Sequence, residues 1–378
     1  MDMETVRFDG SRWSSDPPRG LDSPRTLVMA FGASSLRDRP ALFRALEGAF
    51  PTSRVIGCST AGEMHQGALE DGSLTVAVVR FDEARLASAS AAVPSIAESR
   101  RAGERIGAEL AADDLRAVFV LSDGLTVNGS ELVAGITARV PPEAVVTGGL
   151  AGDGQAFAST WVLDRGVLRS SMVAAVGIYG ERVVVGHGTG GGWEKFGPER
   201  EITRSAGNVL FELDGRPALA LYKEYLGRRA AELPASGLLF PLLVRRGGGC
   251  DAGLVRSIIG VDEEAQSLIF AGDVGEGAVA QLMRANLDGL VDGSERAAMR
   301  AMAHHPPGRP VLAVGVSCVG RRMMLGELCE DEVEAFLAVL PGGSRQVGFY
   351  AYGEIAPNAS GPSELHNQSM SITTLAEV

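Results

Sequence analysis

Three stretches of this chain follow one plan: an apolar strand, a helix that stops at a proline, and a second strand ending in a glycine and an acid. In the first, TLVMAFG (Thr26 to Gly32) leads through ALFRALEGAF to Pro51 and then RVIGCSTAGEM, with Gly62 and Glu63 at its turn. In the second, AVFVLSD (Ala117 to Asp123) leads through SELVAGITARV to Pro141 and VVTGGLAGDG, with Gly152 and Asp153. In the third, VLAVGVSC (Val311 to Cys318) leads through DEVEAFLAVL to Pro341 and RQVGFYAYGEI, with Gly353 and Glu354. A strand–helix–strand unit of this length folds as βαβ, placing its loops at one sheet edge, where open α/β folds hold small ligands. Repetition of the unit predicts an α/β protein of mixed, layered sheets built from repeated βαβ units. It also places Glu63, Asp153 and Glu354 at one edge, either as ligand contacts or as solvated acids of tight turns.

At 378 residues and 45% hydrophobic, the chain is long enough for two domains with cores of their own. A net charge of −12 without long basic runs excludes nucleic acid and an anionic membrane surface as partners. Apolar stretches such as SMVAAVGIYG stay short of the roughly 20 residues that span a bilayer, so no membrane insertion is expected. MDMETVRFDGS lacks the charged-then-apolar order of a secretion signal, which points to the cytoplasm. Cys58, Cys250, Cys318 and Cys329 have no CxxC spacing, which excludes a zinc site or disulfide framework and suits a reducing compartment. An oligomer is compatible with this composition.

Residues 1–24, with serines and prolines and no apolar period, read as a flexible lead-in. A first domain is expected over 25–217 and a second over 218–378, where GAVAQLMRANLDGLVDGSERAAMRAMA reads as one long helical region. The runs TGGGW and RRGGGC lack the Lys-Ser or Lys-Thr of a phosphate loop and read as mobile loops. No HExxH, GxSxG or kinase signature appears, so the chain is not expected to be an enzyme.

The motifs VIGCSTAGEM (Val55 to Met64), TGGLAGD (Thr147 to Asp153), GGWEKFGPEREITRSAGNVLFELDGRPALALY (Gly191 to Tyr222), SCVGRRMMLG (Ser317 to Gly326), GFYAYGEIAP and LHNQSMSITTL (Gly348 to Leu375) occur in this order. Through them the chain, from about Thr26 onward, resembles the FIST family of bacterial sensory proteins, with N-terminal and C-terminal FIST domains. Met64, Ser369 and Ala351 stand where that family more often has isoleucine, threonine and threonine. The resemblance implies a small-ligand sensor in signal transduction. It further implies haem-based nitric oxide sensing in some members, with a histidine kinase or a cyclic-dinucleotide enzyme as partner. No output region follows Val378, so signalling is expected to pass through such a partner.

Candidate ligand contacts follow from the turns. The CSTAG run offers the hydroxyls of Ser59 and Thr60 and backbone N–H groups near Gly62 to a ligand carboxylate or amide, with Glu63 beside them. Cys58 is either a small lining residue or, with no base nearer than His65, a thiol nucleophile. Gly149 and Asp153 form the matching part of the second turn. Arg321 or Arg322 would hold a carboxylate or haem propionate with two parallel bonds, or else pair with Glu63 or Glu354. Tyr350 and Tyr352 alternate along a strand and are expected on one face. For haem iron, His366 is the first choice and His187 the alternative, each otherwise an ordinary half-buried histidine. His304 and His305 read as exposed at a helix end. The polar tips of Arg321, Tyr350, Tyr352, Glu354 and His366 are expected to converge on one pocket. The alternatives to haem are an amino-acid-like metabolite or a Cys58-dependent reaction.

Overall fold

All three repeats form parallel strand pairs in a computed structural model, which describes residues 1–245, 253–358 and 361–378. Thr26–Ala33 lies beside Arg54–Thr60, Leu115–Ser122 beside Val145–Leu150, and Leu312–Cys318 beside Arg345–Ala351. The connecting helices Pro40–Ala49, Gly129–Thr137 and Cys329–Ala338 end just short of Pro51, Pro141 and Pro341. Proline has no N–H to continue a helix, and it bars the residue before it from helical geometry. Asn128 starts the second helix by accepting the Glu131 N–H at 3.1 Å. In the first helix Phe43, Leu46 and Ala49 recur every three residues and bury one face, with the Phe43 ring 5.1 Å from Trp161.

Each pair sits inside its own six-stranded sheet. The first runs Asp2–Phe8, Leu74–Arg80, Thr26–Ala33, Arg54–Thr60, Val162–Asp164, Val167–Arg169. The second runs Ser363–His366, Gly353–Pro357, Val145–Leu150, Leu115–Ser122, Met172–Tyr179, Arg85–Ala92. The third runs Val183–Gly190, Met370–Glu377, Leu312–Cys318, Arg345–Ala351, Glu63–His65, Ala68–Glu70. A hairpin follows every second strand and leaves its own sheet. The first repeat's hairpin extends the third sheet, the second's extends the first, and the third's extends the second. The three sheets are therefore linked in a closed ring of exchanged hairpins around an axial core. Phe31, Phe119 and Phe349, one from each repeat, meet there with ring centroids 4.6 and 6.5 Å apart.

The third repeat carries an insertion. Between Gly190 and Leu287, the strands Trp193–Ala206, Val209–Leu213, Leu242–Arg245, Ser267–Phe270 and Val279–Ala285 and the helix Ala218–Leu226 bury Ile202, Leu210, Tyr222, Leu268 and Phe270 in a separate core.

Several local expectations are corrected. The lead-in is not flexible throughout, because Asp2–Phe8 pairs along its whole length with Leu74–Arg80, burying Val6 and Phe8. The long helical region is a strand, Val279–Ala285, held between two partner strands, followed by a helix, Leu287–Met302, that starts where Asn286 caps it. Tertiary pairing overrides helix propensity there. Of TGGGW, Gly191 and Gly192 alone form a two-residue link between strands Val183–Gly190 and Trp193–Ala206. Of RRGGGC only Arg245 is described, and Cys250 lies outside the described residues.

Candidate functional site

The second strands of the three repeats end against one another. The Ala61 N–H donates to Tyr350 O at 2.8 Å, the Gly152 N–H to Ser59 O at 3.0 Å, and the Tyr352 N–H to Leu150 O at 3.1 Å. These bonds close a triangle, so the turns converge at one end of the sheets. They also fix which residues correspond: Ala61, Gly152 and Tyr352 are equivalent, and Glu63 is level with Glu354. Asp153 is level instead with Gly62 and Gly353, because the second turn is one residue shorter.

The acids at these turns tie the chain to itself. Glu63 accepts the Thr60 hydroxyl at Oε1 and both the N–H and the hydroxyl of Ser73 at Oε2, at 3.0 and 2.9 Å. Glu354 holds Ser369 in the same way, N–H at 3.1 Å and hydroxyl at 2.6 Å. Burial pushes the Glu63 carboxyl up to about 7, against the pull of its hydrogen bonds, and pushes Glu354 up as well. Asp153 takes the N–H groups of Ala158 and Ser159 at 2.8 and 2.6 Å and the hydroxyl of Tyr352. Gly62 adopts φ +137°, and a Cβ there would lie 2.5 Å from Arg322 Nη1. Gly353 has no such φ, but a Cβ on it would press on Leu365.

The expected convergence of five polar tips does not occur. Arg321 is fully buried and donates to Glu332, to Leu290 O at 2.8 Å and to Gly191 O at 3.3 Å. Glu332 also accepts the Tyr350 hydroxyl at 2.6 Å and the Ser317 hydroxyl at 3.2 Å. Arg321 thus joins the two ends of the insertion, with its donors spent inside the protein. The strand ends at Ala351, so Tyr352 turns away from Tyr350 and its hydroxyl goes to Asp153. Phe157, 41% exposed, stacks over the Tyr352 ring with centroids 4.5 Å apart. Cys58 lies wholly within the axial core, where burial drives its thiol pKa up, away from the reactive thiolate. Ser59 is buried and accepts the Trp161 N–H at 3.0 Å, and Gly149 is packed against Val316 and Gly353 O. Glu332, on the helix read from DEVEAFLAVL, was not among the residues singled out in the sequence, yet it is fully buried.

Arg322 is the exception. Its side chain remains 24% exposed beside the junction, donates to Ala61 O, lies 5.6 Å from the Tyr350 ring centroid, and bonds both oxygens of Asp71 at 2.8 and 2.6 Å. On the second repeat's side of the junction the backbone is packed close, and a Cβ on Gly152 would lie 3.1 Å from that of Ala61. The Arg322 guanidinium therefore lies beside Ala61, where its planar fork is able to take an acid group.

Each histidine named for haem iron has a protein neighbour of its own. His366 is buried, its Nε2 faces Ala356 O at 3.1 Å, and burial lowers its pKa to about 4. His187 is half-buried and stacks on His304 with centroids 5.2 Å apart. His305 is buried, not exposed, with Nε2 2.8 Å from the Thr374 hydroxyl. A surface groove of about 520 Å³ beside Met1, Leu21 and Pro310 has no histidine in its lining. Among the described residues, no three of His, Cys, Asp or Glu are grouped to hold a metal, and no helix is long and apolar enough to cross a membrane.

A search of curated proteins finds no matching sequence. Among solved structures, the chain is similar to cyanuric acid hydrolase from A. caulinodans, at 10% identity and a TM-score of 0.35 over 99% of this chain and 98% of that one. So distant a likeness carries nothing about chemistry here. Residues 26–216 match the FIST N domain and residues 218–357 the FIST C domain. The matches run through all three repeats, and the chain belongs to the FIST family, whose domains are associated with sensing in signal transduction.

Proposed function

We propose that this chain is a cytoplasmic small-ligand sensor whose ligand sits at the junction of the three repeats, and that it reports to a separate histidine kinase or cyclic-dinucleotide enzyme. The observation that carries this reading is the part-exposed guanidinium of Arg322 bonded to Ala61 O, where the turns of the three repeats meet. An amino-acid-like metabolite suits this position, with its carboxylate on the planar guanidinium, Asp153 of the second turn for its amine, and the Phe157 and Tyr352 rings as apolar wall. Three repeats donate to this one place, so a ligand there bears on the contacts between all three sheets. No bond-making step is part of the reading.

The test is a thermal-shift screen of amino acids and related metabolites, followed by calorimetry. A binder is expected to raise the melting temperature by mass action, and Arg322→Ala to abolish the shift. A binder indifferent to both Arg322→Ala and Asp153→Asn would move the site elsewhere. Added haemin is expected to give no Soret band of a bound haem. A strong band lost in His366→Ala or His187→Ala would overturn the reading.

A further inference from the structure

Arg322 is held by an acid that has little else to hold it. Asp71 is exposed, its side chain at 71%, and its two oxygens face Nη1 and Nη2 of Arg322 in the parallel geometry that a ligand carboxylate or a phosphate would use. The guanidinium has contacts besides Asp71. Ala61 O accepts from it, the Tyr350 ring lies beneath it, and Gly62 leaves the space it occupies. Removing Asp71 would leave Arg322 in place with two donors free.

The far side of Asp71 leads into the clasp of the first repeat. Asp71, Gly72 and Ser73 form the turn between strands Ala68–Glu70 and Leu74–Arg80, with Gly72 at φ +74°. Ser73 is the residue whose N–H and hydroxyl are bound by buried Glu63. Glu63 in turn opens the short strand that the first repeat lends to the third sheet, paired with Phe349. The chain thus runs from an exposed ion pair on the third repeat to a buried carboxyl between the first and third within a few residues.

We propose that Asp71 is a built-in occupant of the anion position on Arg322, so that an incoming carboxylate or phosphate displaces it and frees the Asp71–Ser73 turn, loosening the Ser73–Glu63 clasp. This rests on the junction being the ligand site. Binding is then a competition: the ligand sees only the fraction of molecules in which Asp71 has let go. For an ion pair with one largely exposed partner, deleting the competitor is expected to raise apparent affinity about two- to sixfold.

Asp71→Asn and Asp71→Ala test the displacement, because an exposed turn residue tolerates both. Without any ligand, hydrogen exchange of the Ser73 amide is expected to speed up in both variants relative to wild type. Unchanged exchange overturns the coupling to the clasp. With glycine and inorganic phosphate as probes in calorimetry, the two variants are expected to bind whichever probe wild type takes, and about two- to sixfold more tightly. A probe bound equally by wild type and variants, yet lost in Arg322→Ala, overturns the displacement while leaving the junction as the site. Weaker binding in the Asp71 variants makes Asp71 a ligand contact and also overturns it. Binding retained in Arg322→Ala overturns the junction itself. Preference for phosphate over glycine, or the reverse, identifies the source of the anion.

Discussion

Glu63 and Glu354 occupy equivalent places, but only Glu63 receives a threonine hydroxyl. The register that sets Ala33 opposite Thr60 sets Cys318 opposite Ala351, so the third repeat lacks the hydroxyl that Glu63 Oε1 receives and has the Cys318 thiol beside Glu354 instead. Restoring the first repeat's pattern with the double substitution Ala351→Thr and Cys318→Ala is expected to stabilise the fold by about 1 kcal/mol, read from urea denaturation. A loss of stability would mean that Cys318 serves Glu354 better than a hydroxyl does. Glu63 makes a pH prediction. Its carboxyl titrates at about 7 when folded and near its ordinary 4.5 when unfolded, so the folded state keeps a proton that the unfolded chain gives up. Below that window both states are protonated and the contribution is intact. It falls as pH rises from 4.5 toward 7, by on the order of 3 kcal/mol, and is level above. Glu63→Gln should flatten this part of the stability profile, and an unchanged slope would place the titration elsewhere. At this scale the sequence named the residues of the turns but not their partners. It placed Gly62 correctly at a turn needing no side chain, and gave no sign that Arg321 would be spent on Glu332.

Among the elements, the helices of the third repeat are joined by the buried pair Arg321 and Glu332, the first on Val319–Leu325 and the second on Cys329–Ala338. The same arginine bonds Gly191 O and Leu290 O, at the two ends of the insertion. Arg321→Met is therefore expected to cost about 3–5 kcal/mol, because Glu332 is left buried without a counter-charge. Arg321→Met combined with Glu332→Gln should recover part of that loss, and a full-cost double variant would show that packing, not charge, sets the effect. The strands and helices of the repeats were legible because apolar period and proline punctuation are local signals. The strand Val279–Ala285 was not, because its helix-like sequence is held extended by Trp193–Ala206 and Leu242–Arg245, far along the chain.

For the molecule as a whole, the exchanged hairpins make each sheet incomplete without its neighbour's chain. Unfolding of the three repeats is accordingly expected to be one cooperative event, with far-UV circular dichroism and hydrogen exchange reporting the same free energy for all three sheets, while the insertion, with a core of its own, is free to open separately. A sheet that loses protection alone would contradict the ring. By itself the sequence determined that three βαβ units recur, that their turns gather at one edge, and that the chain is of mixed α/β type, since strand period, helix stops and glycine placement act over a few residues. Only the tertiary structure decided that the hairpins change sheets, that Asp153 stands one place off from Glu63 and Glu354, and that Arg322 rather than Arg321 reaches solvent. Those outcomes depend on which distant donors meet which acceptors once the sheets close, and a buried charge goes wherever its partner is.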